Sequence, residues 1–388
     1  MNVEMIGDGS LWAEFIDTAG RAGAIVYDDP RIADDAVQAE GIRYLTRIIA
    51  GGIPMTMEAW DADFPQLIKF LSPTIQFGLP AADCCYHWAA VEAGRTYRIS
   101  GKRGTSRVFD VETRSGHMAH LGDWKLLDRS SDFEFGPDGE FELIISDTRQ
   151  HGNWLQLPDG KGCIVIRQYY YDWLTEEPAN LVIERVGAQY PPAPVSPANV
   201  AEGMELLKAW IQNVPRACRH AVEGHYNAPA NTLEFVPIDF GWADLLYGRG
   251  HYTCAPDQAV IVEMPPPEAP YWGIELVSHF WEAHDWHLRQ TSINGHQAML
   301  DSDGVFRAVI AHTDPGVPNW LDTAGHSVGL IAARYFRAKT TSAPTLRTVA
   351  LAALRDHLPA DTAAVTPAQR QESLRARALS VRRRGCDS

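Results

Sequence analysis

A stretch near residue 303 repeats one near residue 138, and this duplication constrains the fold more than any other feature of the chain. The first copy reads DGEFELIISDTRQHGNWLQLPDGKGCIVIRQY over residues 138–169. The second reads DGVFRAVIAHTDPGVPNWLDTAGHSVGLIAARY over residues 303–335. Each opens on Asp-Gly with a phenylalanine two residues on, Phe141 or Phe306. Each runs through a short apolar stretch into a polar loop and reaches Asn-Trp-Leu, at Asn153 or Asn319. Each closes on an apolar run carrying one arginine, Arg167 or Arg334. The offset grows only from 165 at the start (138 to 303) to 167 at the arginines (167 to 334), the mark of single-residue loop insertions. Short apolar runs bounded by Gly, Pro, Asn and Asp are strand patterns. The expected fold class is α+β, mainly β: two similar antiparallel β-sandwich-like units from an internal duplication, with peripheral helices.

Around the repeats the spacing turns helical. Leu11, Trp12, Phe15, Ile16 and Ala19 share one face over residues 10–27, with Ser10 placed to cap it. Val37, Ile42, Leu45, Ile48 and Ile49 predict a second helix from 34 or 35 to 50, stopped by Gly51-Gly52. A short helical piece is expected around residues 64–71. The alternation about the Gly-Lys-Arg-Gly stretch at 101–104 reads as a hairpin. AQYPPAPVSP at 188–197 is a linker, and Val200, Met204, Leu207, Trp210, Ile211 and Val214 predict a third helix over 197–225, which Pro215 is placed to kink. The tail reads as helical and ends basic. The expected division is an N-terminal helical region at 1–83, a first β unit at 84–187 and a Pro-rich linker and helical connector at 188–257. A second β unit at 258–340 and a helical tail at 341–388 complete it.

Several function classes are disfavoured. A net charge of −15 argues against a nucleic-acid partner and against an anionic membrane surface. No run of 18 or more apolar residues predicts a membrane span, and MNVEMIGDGSLWAEF lacks the basic start and apolar core of a signal peptide. Six cysteines without a CxxC pair read as reduced, structural thiols, so a cytoplasmic location is expected. No GxGxxG follows a strand, and neither a P-loop nor GxSxG occurs, so no cofactor and no serine-hydrolase elbow are expected. Exposed strand edges and a terminal helix predict a homo-oligomer, dimer or tetramer.

At this point the residues carry a resemblance. YRISGKRG, DGEFELIISD, GNWLQLPDG and IVIRQYYYDW together resemble the domain-of-unknown-function 1214 family, whose members end in a similar Asn-Trp-Leu-then-strand pattern. The longer bacterial proteins with that domain carry patterns like YWGIELVSHFWEAHD and DPGVPNWLDTAGHSVG in their second half. The resemblance implies β-sandwich architecture and no settled activity. Relatives carry an Asn-Pro-Asp-Asn-like stretch where this chain reads LPAADCC, at 79–85.

The duplication also allows a subtraction: features in both copies serve the shared fold, and features in one copy are left for function. Asn153 and Asn319 are expected to satisfy loop backbone, Trp154 and Trp320 to cover a core edge, and Arg167 and Arg334 to need buried partners. Only the second unit has a histidine excess, with six of fourteen (His279, His284, His287, His296, His312 and His326) inside it. Histidine suits proton transfer near neutral pH, and carboxylates orient it or share the work. The expected acid–base residues are His279, Glu282, Asp285 and His326. The expected substrate contacts are Trp281, Trp286, Asn294, His296, Asn319, Trp320, Asp322 and Arg334. His279, His284 and His287 with Glu282 offer metal ligands, but no His-x-His, HExxH or zinc-type cysteine pair occurs, and no metal is expected. A blander reading has these histidines filling a polar–aromatic interface with Phe280, Trp281 and Trp286. The expected function is an enzyme acting on a small, partly apolar organic molecule by metal-independent acid–base chemistry: a hydrolase, lyase or isomerase. The alternative is a non-catalytic protein presenting an aromatic cleft to a ligand such as a sugar.

Overall fold

Two β units of nine strands each share one sheet order. The computed structural model describes residues 4–32, 34–236, 244–340 and 343–385. The outermost parts of the expected N-terminal region and tail, 1–3 and 386–388, and part of the expected connector, 237–243, lie outside the described residues. The first unit holds β1 (Ile68–Leu71), β2 (Cys84–Glu92), β3 (Tyr97–Lys102), β4 (Val108–Ser115), β5 (Lys125–Ser130), β6 (Glu140–Ser146), β7 (Trp154–Gln156), β8 (Lys161–Tyr169) and β9 (Asn180–Arg185). The second holds β10 (Thr232–Val236), β11 (Leu245–Thr253), β12 (Gln258–Met264), β13 (Tyr271–Val277), β14 (Ser292–Asn294), β15 (Phe306–Ala311), β16 (Trp320–Asp322), β17 (Val328–Phe336) and β18 (Thr345–Ala350). The five-stranded sheets run β1-β2-β8-β4-β5 and β10-β11-β17-β13-β14; the four-stranded sheets run β7-β6-β3-β9 and β16-β15-β12-β18. Each strand of the first unit therefore has its counterpart nine strands later, and the duplication is wider than the residues whose letters still match.

The mainly-β, two-half architecture is present, with unit limits that differ from those read in the sequence. β10 and β11 fall in the stretch expected as connector, β18 in the expected helical tail, and β1 where a short helix was expected. All four hydrogen-bond into their unit's sheets. Only β11 is interior; β1, β10 and β18 are edge strands, too short or too exposed for an apolar period to stand out. The stretch at 101–104 is not a hairpin, because β3 pairs with β6 and β9 while β4 pairs with β5 and β8. The chain crosses between sheets there. Gly101 answers a close approach: a Cβ on it would stand 2.0 Å from the Asn180 carbonyl oxygen.

Nor is the pairing wholly antiparallel. β7 runs parallel to β6, and β16 parallel to β15, because the preceding loop doubles back before Asn-Trp-Leu. The loop asparagines hold that reversal. Asn153 Oδ1 accepts from Glu134 N (2.8 Å) and its Nδ2 donates to the Glu134 and Glu142 carbonyls (2.8 and 2.9 Å). Asn319 repeats all three bonds with Met299 N, Met299 O and Arg307 O (3.0, 2.6 and 2.9 Å).

The helices are α1 (Glu4–Gly7), α2 (Ser10–Ala22), α3 (Ala24–Tyr27), α4 (Asp35–Ile53), α5 (Pro197–Tyr226) and α6 (Pro367–Arg383). The Asp34 carboxylate caps α4 by accepting from Ala36 N and Val37 N, and the helix buries Gly41, Tyr44, Arg47 and Ile48. α5 starts on a capping box of Ser196 and Asn199 and continues through Pro215. Tyr97, Val111, Leu143 and Ile164 belong to the first unit's core, and Val262, Leu276, Phe306 and Ile331 to the second's. A third apolar cluster, including Ile48, Trp88, Val165 and Trp210, packs α4 and α5 onto β2 and β8. Cys84, Cys163, Cys218 and Cys254 are buried and free. Cys85 is disulfide-bonded, which corrects the expectation of reduced cysteines throughout. Among the described residues no helix is long and apolar enough to cross a membrane.

Candidate functional site

The two arginines of the repeat are built into matching triads. Tyr86 on β2 lies opposite Arg167 on β8, and Tyr247 on β11 lies opposite Arg334 on β17. Arg167 pairs with Glu112 at 2.6 Å, and Arg334 pairs with Glu275, the residue at the same position of the matching strand. Arg167 also lies 3.5 Å from Asp110, and Arg334 donates to the Leu79 carbonyl at 2.8 Å. Burial alone would lower both guanidinium pKa values. The adjacent carboxylates override it and hold both well above the ordinary range.

Tyr86, Tyr247, Arg167 and Arg334 all line one cavity of about 160 Å³ between the two five-stranded sheets and α5. Phe70, Phe77, Tyr169, Cys218 and Trp281 are among the residues of its apolar and aromatic wall. An apolar cavity of about 150 Å³ accepts a benzene ring. Burial raises the Tyr86 and Tyr169 phenols, and pushes the Cys218 thiol up to about 11, so at neutral pH these groups stay protonated. Two wall residues, Leu79 and Trp281, adopt left-handed backbone at φ 57° and 60°, and Leu79 N donates to Trp281 O at 2.8 Å. Non-glycine residues keep such conformations only where their surroundings impose them. The Trp281 indole nitrogen is buried without a hydrogen-bond partner.

The four expected acid–base residues lie along the helices. His279 Nε2 faces Asp29 Oδ2 at 3.1 Å and its Nδ1 faces the Tyr226 hydroxyl at 3.2 Å. Burial lowers the His279 pKa, against the pull of Asp29. Glu282 is buried against Arg47 at 3.1 Å, and burial pushes its carboxyl up to about 7 despite that partner. Asp285 pairs with Arg43 at 3.0 Å and lies 3.8 Å from Arg47. His326 Nε2 stands 3.0 Å from Glu40 Oε1, and its ring stacks on His284 with centroids 4.7 Å apart. His279 and His326 thus engage different carboxylates, on Asp29 and Glu40. None of the four lines the inter-sheet cavity.

Of the expected substrate contacts, the structure brings Trp281 and Arg334 to the cavity. Trp320 and Asp322 join Asp285 on an open groove of about 700 Å³ beside α6. Four of the groove's charges pair with one another, Arg289 with Asp322 at 2.8 Å and Arg370 with Asp314 at 2.9 Å, and Asp285 pairs with Arg43 outside it. The Trp320 indole donates to Ala311 O at 3.0 Å. Trp286 is buried with Tyr170, Trp173 and Val381. Asn294 donates to Asp83 Oδ1 at 2.7 Å; Asp83 also accepts from Trp173 (2.6 Å) and Tyr271 (2.7 Å), so this cluster joins the two units. His296 is half-exposed, 3.6 Å from Asp172. Asn319 serves the loop reversal described above. Sequence reasoning passed over Tyr86, Tyr247 and Cys218 at the cavity and Glu40 beside His326; it gave Arg167 only a buried partner and offered His284 as a metal ligand in a different set. The matched arginines were a signal for the first group; Glu40 carries none.

Residues 90–171 match the family model described as protein of unknown function (DUF1214). The chain is similar to an uncharacterized protein from Burkholderia cenocepacia whose crystal structure is known. The two are 29% identical with a TM-score of 0.86, over 90% of this chain and 99% of that one. A looser likeness is to a solved protein from Vibrio parahaemolyticus, 10% identical with a TM-score of 0.47, over 86% of this chain and 100% of that one. No curated protein matches the sequence. The matched residues 90–171 lie within the first of the two β units, and over them the chain is similar to a family described as proteins of unknown function.

Proposed function

We propose that this protein binds a small, largely apolar organic molecule bearing an oxygen acceptor, such as a single-ring carboxylic acid, in the cavity between its two five-stranded sheets. One observation carries the reading: the duplicated Tyr–Arg pairs, Tyr86–Arg167 and Tyr247–Arg334, line the same aromatic cavity. The rear carboxylates orient the guanidiniums, and a guanidinium's remaining N–H groups suit a carboxylate. With phenols and thiol held neutral, the wall favours binding over proton abstraction. Titration with benzoate, read by tryptophan fluorescence and melting temperature, tests it, with toluene as the neutral ring. Saturable benzoate binding that is lost on filling the cavity with Ala217→Leu is the expected result. No saturable binding, or binding indifferent to Ala217→Leu, rejects it.

A second reading, metal-independent acid–base catalysis in the second unit, is favoured by Glu282. Its carboxyl, near 7, sits one residue from the cavity-lining Trp281. A general acid or base works best with a pKa near the operating pH. Turnover that falls by about 10²–10⁴-fold in Glu282→Gln would favour catalysis over simple binding. Light scattering tests the accompanying expectation of a homo-oligomer.

A further inference from the structure

Three side chains from three separate segments meet where α4 passes the loop between β16 and β17. Glu40 comes from α4, His284 from the stretch between β13 and β14, and His326 from the β16–β17 loop. One donor atom of each lies within 4.8 Å of the other two. His326 already contacts Glu40 Oε1 and stacks on His284. Two polar atoms remain: Glu40 Oε2 and His284 Nε2 are both buried and without a hydrogen-bond partner. His284 is only 6% exposed. Each unsatisfied buried group costs folding stability, and two of them in one cluster call for a shared partner.

We propose that Glu40, His284 and His326 bind one divalent transition-metal ion, with zinc the ion the donors suit best. Two imidazoles and one carboxylate form a three-ligand set that leaves a fourth position for water or a ligand. Calcium and magnesium prefer all-oxygen shells, so the imidazoles select against them. Ligands about 2.0–2.2 Å from zinc stand roughly 3.4 Å apart in a tetrahedron, so a closure of at most about 1.4 Å completes the site. The turn that presents His326 has the geometry to hold it: Ala324 and Gly325 take φ of 54° and 93°, and His326 N donates to Thr323 O at 3.1 Å. The ion would enter on the Glu40 side, where that side chain is 35% exposed. This set differs from the one the sequence offered, since His279 and Glu282 are engaged by Asp29 and Arg47. The site stands apart from the cavity and does not depend on the ligand proposed for it.

The test uses the full chain without an affinity tag, stripped with EDTA and titrated with zinc chloride by calorimetry. Cobalt(II) absorption is the second readout. One zinc per chain, a raised melting temperature and cobalt bands in the visible of a four-coordinate ion are expected. Glu40→Gln and His326→Gln, on the more accessible ligands, should each weaken zinc by about tenfold or more, roughly 1.4 kcal/mol, without lowering the melting temperature in EDTA. The exposed His220→Gln on α5 should bind as the parent does. Absence of stoichiometric zinc binding, or zinc binding unchanged in both Glu40→Gln and His326→Gln, would overturn the proposal.

Discussion

Arg167 and Arg334, one in each β unit, occupy the same position of matching strands and line the same cavity. Each is balanced from behind by a glutamate, Glu112 or Glu275. A duplication that keeps Tyr, Arg and Glu together in both halves and turns both sets onto one space has a simple physical consequence. The charges stay buried because they are paired, and the pairing leaves their outer faces toward the cavity.

Removing one member of such a pair strands the other. Arg334→Met should destabilise the fold by about 3–5 kcal/mol, because Glu275 keeps a buried charge. The double variant Arg334→Met/Glu275→Leu should recover most of that loss. Urea denaturation of the two variants measures both, and a double variant no more stable than the single one would contradict the pairing argument.

Glu282 makes stability depend on pH. Burial raises its folded pKa to about 7, above the 4.5 of an ordinary glutamate. The folded state therefore holds the proton more tightly, and this group's contribution is fully present below about 4.5 and falls away as pH rises to about 7. The partly buried His87 and His117 and the buried His225, pushed down to about 4, act oppositely: their contribution is lost as pH falls from 6.5 toward 4. The parent-minus-Glu282→Gln difference isolates the glutamate. Measured in EDTA, it should decline by up to about 3 kcal/mol between pH 4.5 and 7. A flat difference curve would mean that the carboxyl ionises normally.

Gly41 lets α4 approach the residue 278–285 stretch. A Cβ there would stand 2.5 Å from Val26 Cγ1 and 2.8 Å from Phe280 Cζ. Gly41→Val should cost about 1–3 kcal/mol through overpacking. It should also weaken zinc binding, since Glu40 rides on the same turn. Calorimetry of this variant gives both numbers.

The matched asparagines should not be equally costly to lose. Asn319 is 5% exposed and bonds two carbonyls and one amide, whereas the same bonds of Asn153 are open to solvent. Water can replace Asn153 but not Asn319. Asn319→Ala should therefore lose more stability than Asn153→Ala, by about 1–3 kcal/mol. Thermal denaturation of both variants decides it.

The duplication, the mainly-β class and helices over 10–27, 34 or 35 to 50 and 197–225 are legible in the sequence, and the structure has α2, α4 and α5 there. These follow from local period and the matched Asn-Trp-Leu loops, all carried by neighbouring residues; Ser10, the expected cap, is instead the first residue of α2, after Gly9. The pairing of Asn319 with backbone was legible for the same reason, since its counterpart Asn153 recurs in an equivalent loop. Edge strands β1 and β18 were hidden because a short strand, or one with a solvated face, carries little apolar signal. Which distant groups meet follows from how the units and helices pack. That packing sent Arg334 and Arg167 to a common cavity, and it paired Glu282 and Asp285 with Arg47 and Arg43 on α4. It also set Glu40 beside His284 and His326. Such contacts join residues hundreds of positions apart, and they arise from how helices dock on sheets, which no periodicity along the chain encodes.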